Sequence, residues 1–126
     1  MHPVPSAPGL PAELPGIDTR VGLASTAGNA KLYRRLLVKY RDGQTDFADA
    51  FRNAQAKGDQ AGATRLAHDL RAVSGTLGAQ EVEQLARALE TACREGGSAD
   101  QFEALTGRVA AALAPVMAGL AALGSS

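Results

Sequence analysis

What most limits the fold of this chain is its punctuation. Nearly every run with a helical apolar period ends on glycine, and the links between runs are only a few residues long. No run shows the two-residue alternation of a half-buried strand. Short links force successive helices to run antiparallel. The pattern predicts an all-α domain: an up-and-down antiparallel four-helix bundle with a short additional N-terminal helix. Aromatics are 4% of the chain and Trp is absent, so the core must be Leu, Val and Ala, which suits helices better than a sheet. A length of 126 residues fits one domain.

Residues 1–16 hold five of the six prolines and no helical period, and read as an extended, flexible linker cut from a longer protein, with His2 inert. The bundle is expected over 17–123, with 124–126 a frayed tail. Asp18 can cap a short helix carrying Val21 and Leu23 that ends near Gly28. Asn29 caps the next, in which Leu32, Leu36 and Tyr40 recur every fourth residue, flanked by Tyr33 and Leu37, before a stop at Asp42-Gly43. Thr45 starts a segment with Phe47, Phe51 and Ala54 on one face, and the two segments read equally as one helix with a break. Asp59 caps a helix that reaches Leu77 and stops at Gly78. Val82, Leu85, Leu89 and Cys93 form the inward stripe of another, running to Glu95. Ser98 and Gln101 have capping-box spacing for a last helix that buries Phe102, Leu105, Val109 and Leu113. Pro115 lacks a donor, which predicts a kink or restart before Val116, Leu120 and Leu123.

Several function classes are disfavoured. Formal net charge is zero and the pI about 6.7, so no footprint for nucleic acid or an anionic membrane is present. Arg34, Arg35, Lys39 and Arg41 read as a solvated helix face. The lone cysteine, Cys93, excludes an internal disulfide; with two histidines it cannot build the usual Cys and His metal cage. It reads as a small buried hydrophobe, and the reducing cytoplasm is the simplest compartment. The longest apolar run, Val109 to Leu123, is broken by Pro115 and Gly119 and falls short of the roughly 18 to 20 residues of a membrane span. No signal peptide is evident, and the chain has no glycine-rich nucleotide loop, no carboxylate cluster for Mg²⁺ and no kinase-like motif.

Within Asp59–Ala79, taking Leu66 as reference, Leu70, Val73 and Leu77 fall within about 40° of its direction while His68 lies about 200° away. His68 therefore points to solvent. Its neighbours at three and four residues are Thr64, Arg71, Ala72 and Gly75, mostly small, with one fixed positive charge. Asp69 points about 100° aside and reads as a solvated charge. A mid-helix glycine such as Gly75 costs about 1 kcal/mol relative to alanine; it either bares the backbone to a partner or is a tolerated surface glycine. An exposed imidazole has an ordinary pKa near about 6.5, so at pH 7 a ring nitrogen is free to act as nucleophile. Taken alone, His68 reads as an ordinary surface histidine.

The run His68-Asp69-Leu70-Arg71-Ala72-Val73-Ser74-Gly75-Thr76-Leu77-Gly78-Ala79 resembles the motif of histidine-containing phosphotransfer (HPt) domains of bacterial two-component phosphorelays. The match holds at His68, Leu70, Gly75, Leu77, Gly78 and Ala79; Arg71 keeps the charge of the family lysine, and Ala72 stands where the family usually has glycine. The family's four-helix bundle agrees with the pattern from Ile17 to Leu123. The resemblance implies that His68 accepts a phosphoryl group from a receiver-domain aspartate and passes it to a response-regulator aspartate, through the ring nitrogen distal to the backbone. It makes Arg71 a phosphate neighbour, or else a plain surface arginine, and Thr64, Ala72 and Gly75 the receiver-docking face. Mg²⁺ is expected on the receiver and no cofactor on this chain, a carrier rather than an enzyme. The expected state is a cytoplasmic monomer, free or tethered to an inner-membrane sensor kinase. The proline-rich leader points to the carboxy-terminal module of a hybrid sensor kinase. A second reading, favoured by Ala72, is a helical adaptor that docks a receiver or other signalling protein without being phosphorylated.

Overall fold

The structure is a computed structural model and describes residues 10–11 and 13–124. The described residues form six α-helices: α1 (Thr19–Ser25), α2 (Ala30–Gln44), α3 (Phe47–Ala56), α4 (Gln60–Leu77), α5 (Gln80–Glu95) and α6 (Ala99–Leu120), closed by a 3₁₀ turn at Ala121–Leu123. Side chains of Asp18, Asn29, Asp59 and Ser98 cap four of them by accepting from backbone N–H groups of the first turn. Left-handed Gly78 and Gly96 end α4 and α5.

Four columns pack together: α2 and α3 in tandem, then α4, α5 and α6, with α1 laid over α4 and α2. Along α2, Tyr33 reaches Leu77 and Tyr40 reaches Ser74, so α2 and α4 run antiparallel. Contacts of His68 with Glu90 and of Gly75 with Glu83 give the same sense to α4 and α5. The break between the tandem helices differs from the expected start at Thr45. The Thr45 N–H and hydroxyl both go to the Arg41 carbonyl, so Thr45 finishes α2, and Asp46 stands ahead of α3.

The core stripe of α4 is turned from its expected direction. Ala63, Ala67, Leu70, Ser74 and Leu77 are buried, whereas Leu66 and Val73 are only half-buried. Their mean direction lies about 60° from Leu66. Two alanines and a serine, too small to stand out as core in the sequence, let α4 sit close to its neighbours; the serine hydroxyl is satisfied by Tyr40 at 2.8 Å. Along α2, Tyr40 is buried as expected, but the flanking Tyr33 and Leu37, with Val38, are buried while Leu32 and Leu36 stay at the margin. Phe47, Phe51 and Ala54 face inward as read.

Three other expectations change. The flexible leader over 1–16 lies partly outside the described residues, namely 1–9 and residue 12, but Leu10 and Leu14 are buried. Pro15 lies against Gly119, Gly16 against Val116, and the Asp18 N–H bonds the Gly78 carbonyl at 2.9 Å. Two leucines among the prolines thus dock the leader's end on the bundle. The basic patch on α2 is only partly solvated: the Arg34 guanidinium donates to the Leu123 carbonyl, and Arg41 donates to those of Leu120 and Gly124, satisfying orphan carbonyls at the end of α6. Helix α6 continues through Pro115 without a restart, because Pro115 and Ala111, whose carbonyl loses its partner, are both exposed to water. By length and composition alone, Ala99–Leu123 could cross a membrane; here Phe102, Val109, Leu113, Val116 and Leu120 line the core. In the tail, Gly124 is exposed and 125–126 lie outside the described residues.

Candidate functional site

The turned core stripe sets the position of every side chain on the outer half of α4. Counting about 100° per residue from the buried centre, Arg71, Thr64, Gly75 and His68 fall to one side at about 80° to 140°. That is the side against α5. Ala72 lies opposite the core, and Asp69 falls away from α5. His68 is half-exposed, its side chain retaining 47% of its accessible surface.

Beneath it, on α5, sits Glu90, a carboxylate whose side chain is 5% exposed. Its Oε2 lies 2.8 Å from His68 Nδ1 and 2.7 Å from an Arg94 nitrogen, and its Oε1 accepts from Arg71 Nε at 2.5 Å. Burial alone would raise the Glu90 carboxyl, but hydrogen bonds from Arg71 and His68 and the charges of Arg71 and Arg94 overcome it and hold the group below the usual range. Glu90 is thus a buried anion serving three partners. A carboxylate can only accept, so the tautomer that satisfies it carries the proton on Nδ1. Arg71 NH2 also stands 3.0 Å from Nδ1. Two donors meet there, and both are drawn to the same carboxylate. Among the described residues no hydrogen bond engages Nε2, which holds the free lone pair.

The sequence sets Asp69 aside and offers no other carboxylate to His68; the structure supplies one in Glu90. Glu90 could have been found: it follows Ala86 by four residues and precedes Cys93 by three, on the inward side of an amphipathic helix, where a carboxylate must be paired. Arg71 is turned into this network and is only 24% exposed. Gly75 is half-buried rather than on an open face: a side chain there would begin 2.8 Å from the Glu83 carboxylate of α5. Thr64 is half-buried, its hydroxyl donating to the Gln60 carbonyl at 2.9 Å. Ala72 is exposed on a shallow, mainly apolar groove of about 290 Å³ with Leu36, Val73, Thr76 and Leu77, and Asp69 at its edge. The proposed face is therefore divided, with Ala72 on the groove and Thr64 and Gly75 toward α5.

On its other flank His68 lines an open cleft of about 440 Å³ with Ala61, Thr64, Arg65 and Arg94. Cys93 lies buried nearby; desolvation raises its thiol and the Glu90 charge adds to this, against a hydrogen bond from Thr64, so it is no nucleophile. Among the described residues no group of three or more His, Cys, Asp or Glu side chains could hold a metal ion. What the arrangement can do is present one unblocked imidazole nitrogen to a visiting molecule while its other nitrogen is held.

Residues 35–122 match a family model described as Hpt domain. The fold is similar to the crystal structure of the HPT domain from the Hpt sensor hybrid histidine kinase from Shewanella, with a TM-score of 0.75 over 88% of this chain and 95% of that one, at 17% identity. No curated protein matches the chain significantly.

Proposed function

This chain belongs to the Hpt domain family, whose members carry phosphoryl groups in phosphorelays and interact with receiver domains, and from that premise we propose that His68 is the phosphoacceptor. The observation that carries this reading is the unequal state of its two ring nitrogens, one held by a buried carboxylate and the other open. The Nε2 lone pair attacks phosphorus of an aspartyl phosphate on a receiver; the N–P bond forms as the P–O bond to the aspartate breaks, and the carboxylate leaves with the bonding pair. Because Nδ1 keeps its proton, the phosphorylated ring is an imidazolium, and the Glu90 carboxylate stabilises that charge at 2.8 Å. Transfer to a response-regulator aspartate reverses these steps.

The chain supplies the nucleophile, its orientation and a docking surface, since phosphoryl transfer rests mainly on positioning and charge neutralisation. Mg²⁺ belongs to the receiver, and the domain acts as a cytoplasmic monomer, free or within a hybrid kinase. The exposed groove around Ala72 borders the receiver's approach, Thr64 flanks His68 in the open cleft, and Gly75 lies under Glu83. Arg71, drawn toward Glu90, acts chiefly by holding that carboxylate.

The test is incubation with a phosphorylated receiver. Label is expected on the domain, lost in acid, stable in base and absent from His68→Gln. Equal labelling of wild type and His68→Gln would end this reading; an unlabelled domain that still bound the receiver would be an adaptor.

A further inference from the structure

We infer that Arg65 is a phosphate-binding residue of the cleft, directed at the dianionic phosphoryl group that His68 Nε2 carries; this rests on the carrier reading. Three observations converge. Arg65 is one turn before His68 on α4, where residues three apart are neighbours, and both line the open cleft. Arg94 of α5 also lines the cleft and is already committed to Glu90 at 2.7 Å, as Arg71 is at 2.5 Å. Arg65 makes no ion pair and no hydrogen bond among the described residues, although Asp69 stands one turn further on the same helix. It is the cation at the cleft with all its donors available. A phosphoryl group at Nε2 brings acceptor oxygens into a space where a guanidinium can meet two of them at once.

The probe is phosphoramidate, a small donor that needs no receiver: His68 Nε2 attacks phosphorus, the donor's N–P bond breaks and ammonia leaves. Wild type, Arg65→Ala, Arg65→Lys and His68→Gln are labelled, and the phosphoryl signal is followed by phosphorus NMR against pH. Arg65 is exposed and alanine is a good helix former, so Arg65→Ala retains the fold. A nearby cation favours the dianion, so removing it should raise the midpoint of the second phosphoryl ionisation by about half a unit, roughly a threefold change, and lysine should restore most of it. Identical midpoints in wild type and Arg65→Ala overturn the inference and leave the carrier reading intact. Label on wild type that does not depend on His68 overturns the carrier reading and this inference with it.

Discussion

The Glu90 carboxylate and the His68 imidazole, twenty-two residues apart in the chain, meet at 2.8 Å across the seam between α4 and α5. The contact decides which ring nitrogen is free. Replacing Glu90 by alanine should let the proton redistribute between the nitrogens and slow phosphorylation by phosphoramidate on the order of tenfold, the scale of losing a group that orients an imidazole. Glu90→Gln keeps an acceptor and should fall between. Nitrogen-15 shifts of the His68 ring report the tautomer; an unchanged spectrum in Glu90→Ala would show that the carboxylate does not set it.

Glu90 also links stability to acid. Its carboxyl is held below the usual range in the fold, so the unfolded chain binds the proton more readily as pH falls. The contribution is fully present above the unfolded value of about 4.3 and is lost as pH drops through the lower folded value. Urea unfolding should show midpoints falling below about pH 4, with a shallower acid limb in Glu90→Gln. At pH 7 that variant should lose about 1 to 3 kcal/mol, because Arg71 and Arg94 are left without their anion.

The alkaline limb has a different source. Burial raises Tyr33 to about 12, with the Asp18 charge adding to it. Burial also raises Tyr40 to about 12, against a hydrogen bond from Ser74. Both phenols stay protonated in the fold while an unfolded tyrosine ionises near about pH 10, so stability is present below that pH and drains away as pH rises toward about 12. Tyr33→Phe should flatten this limb and cost about 1 kcal/mol at neutral pH, since the Leu77 carbonyl loses its 2.7 Å donor. Circular dichroism during alkaline titration reads both effects.

Much of this was written in the chain. The caps at Asp18, Asn29, Asp59 and Ser98 and the glycine stop at Gly78 are local rules that local sequence displays. The direction of α4's core was not, because Ala63, Ala67 and Ser74 carry no strong hydrophobic signal and become core only when neighbouring helices close over them. An error of about 60° on a helix is enough to turn Gly75 and Arg71 from open surface toward α5. Glu90 escaped for a related reason: only Arg94 shares its helix, while His68 and Arg71 lie on α4, and pairing across a seam has no period in one sequence.

Gly78 separates two demands that a motif glycine can serve. Its φ of +94° is left-handed, and an added side chain would begin 2.2 Å from the Asp18 carbonyl oxygen. Gly96 is also left-handed, at φ +72°, with nothing within 4 Å. Gly96→Ala should cost about 1 kcal/mol, the conformational penalty alone. Gly78→Ala should cost about 2 to 4 kcal/mol, because the leader must also be pushed from the α4–α5 turn. Thermal unfolding of the two variants gives the comparison, and equal losses would show that the Asp18 contact contributes nothing.

Gly75 and Ala72 provide the opposite pair. The atom that a Gly75 side chain would meet, Glu83 Oε2 at 2.8 Å, is the far end of a flexible chain paired with exposed Arg87, so it can swing aside. Gly75→Ala should therefore stabilise the domain by about 0.5 to 1 kcal/mol through helix propensity, with transfer from a receiver nearly unchanged because Glu83 already covers that spot. Ala72 is exposed beside the apolar groove, with no such cover. Ala72→Gly should lose about 1 kcal/mol of stability and transfer at least as fast as wild type, since removing a methyl opens the approach to the imidazole. Single-turnover transfer from a phosphorylated receiver measures both. A sharp loss of rate in Gly75→Ala would place the docking surface on the α5 side of His68, and a sharp loss in Ala72→Gly would mean that the methyl itself makes the contact.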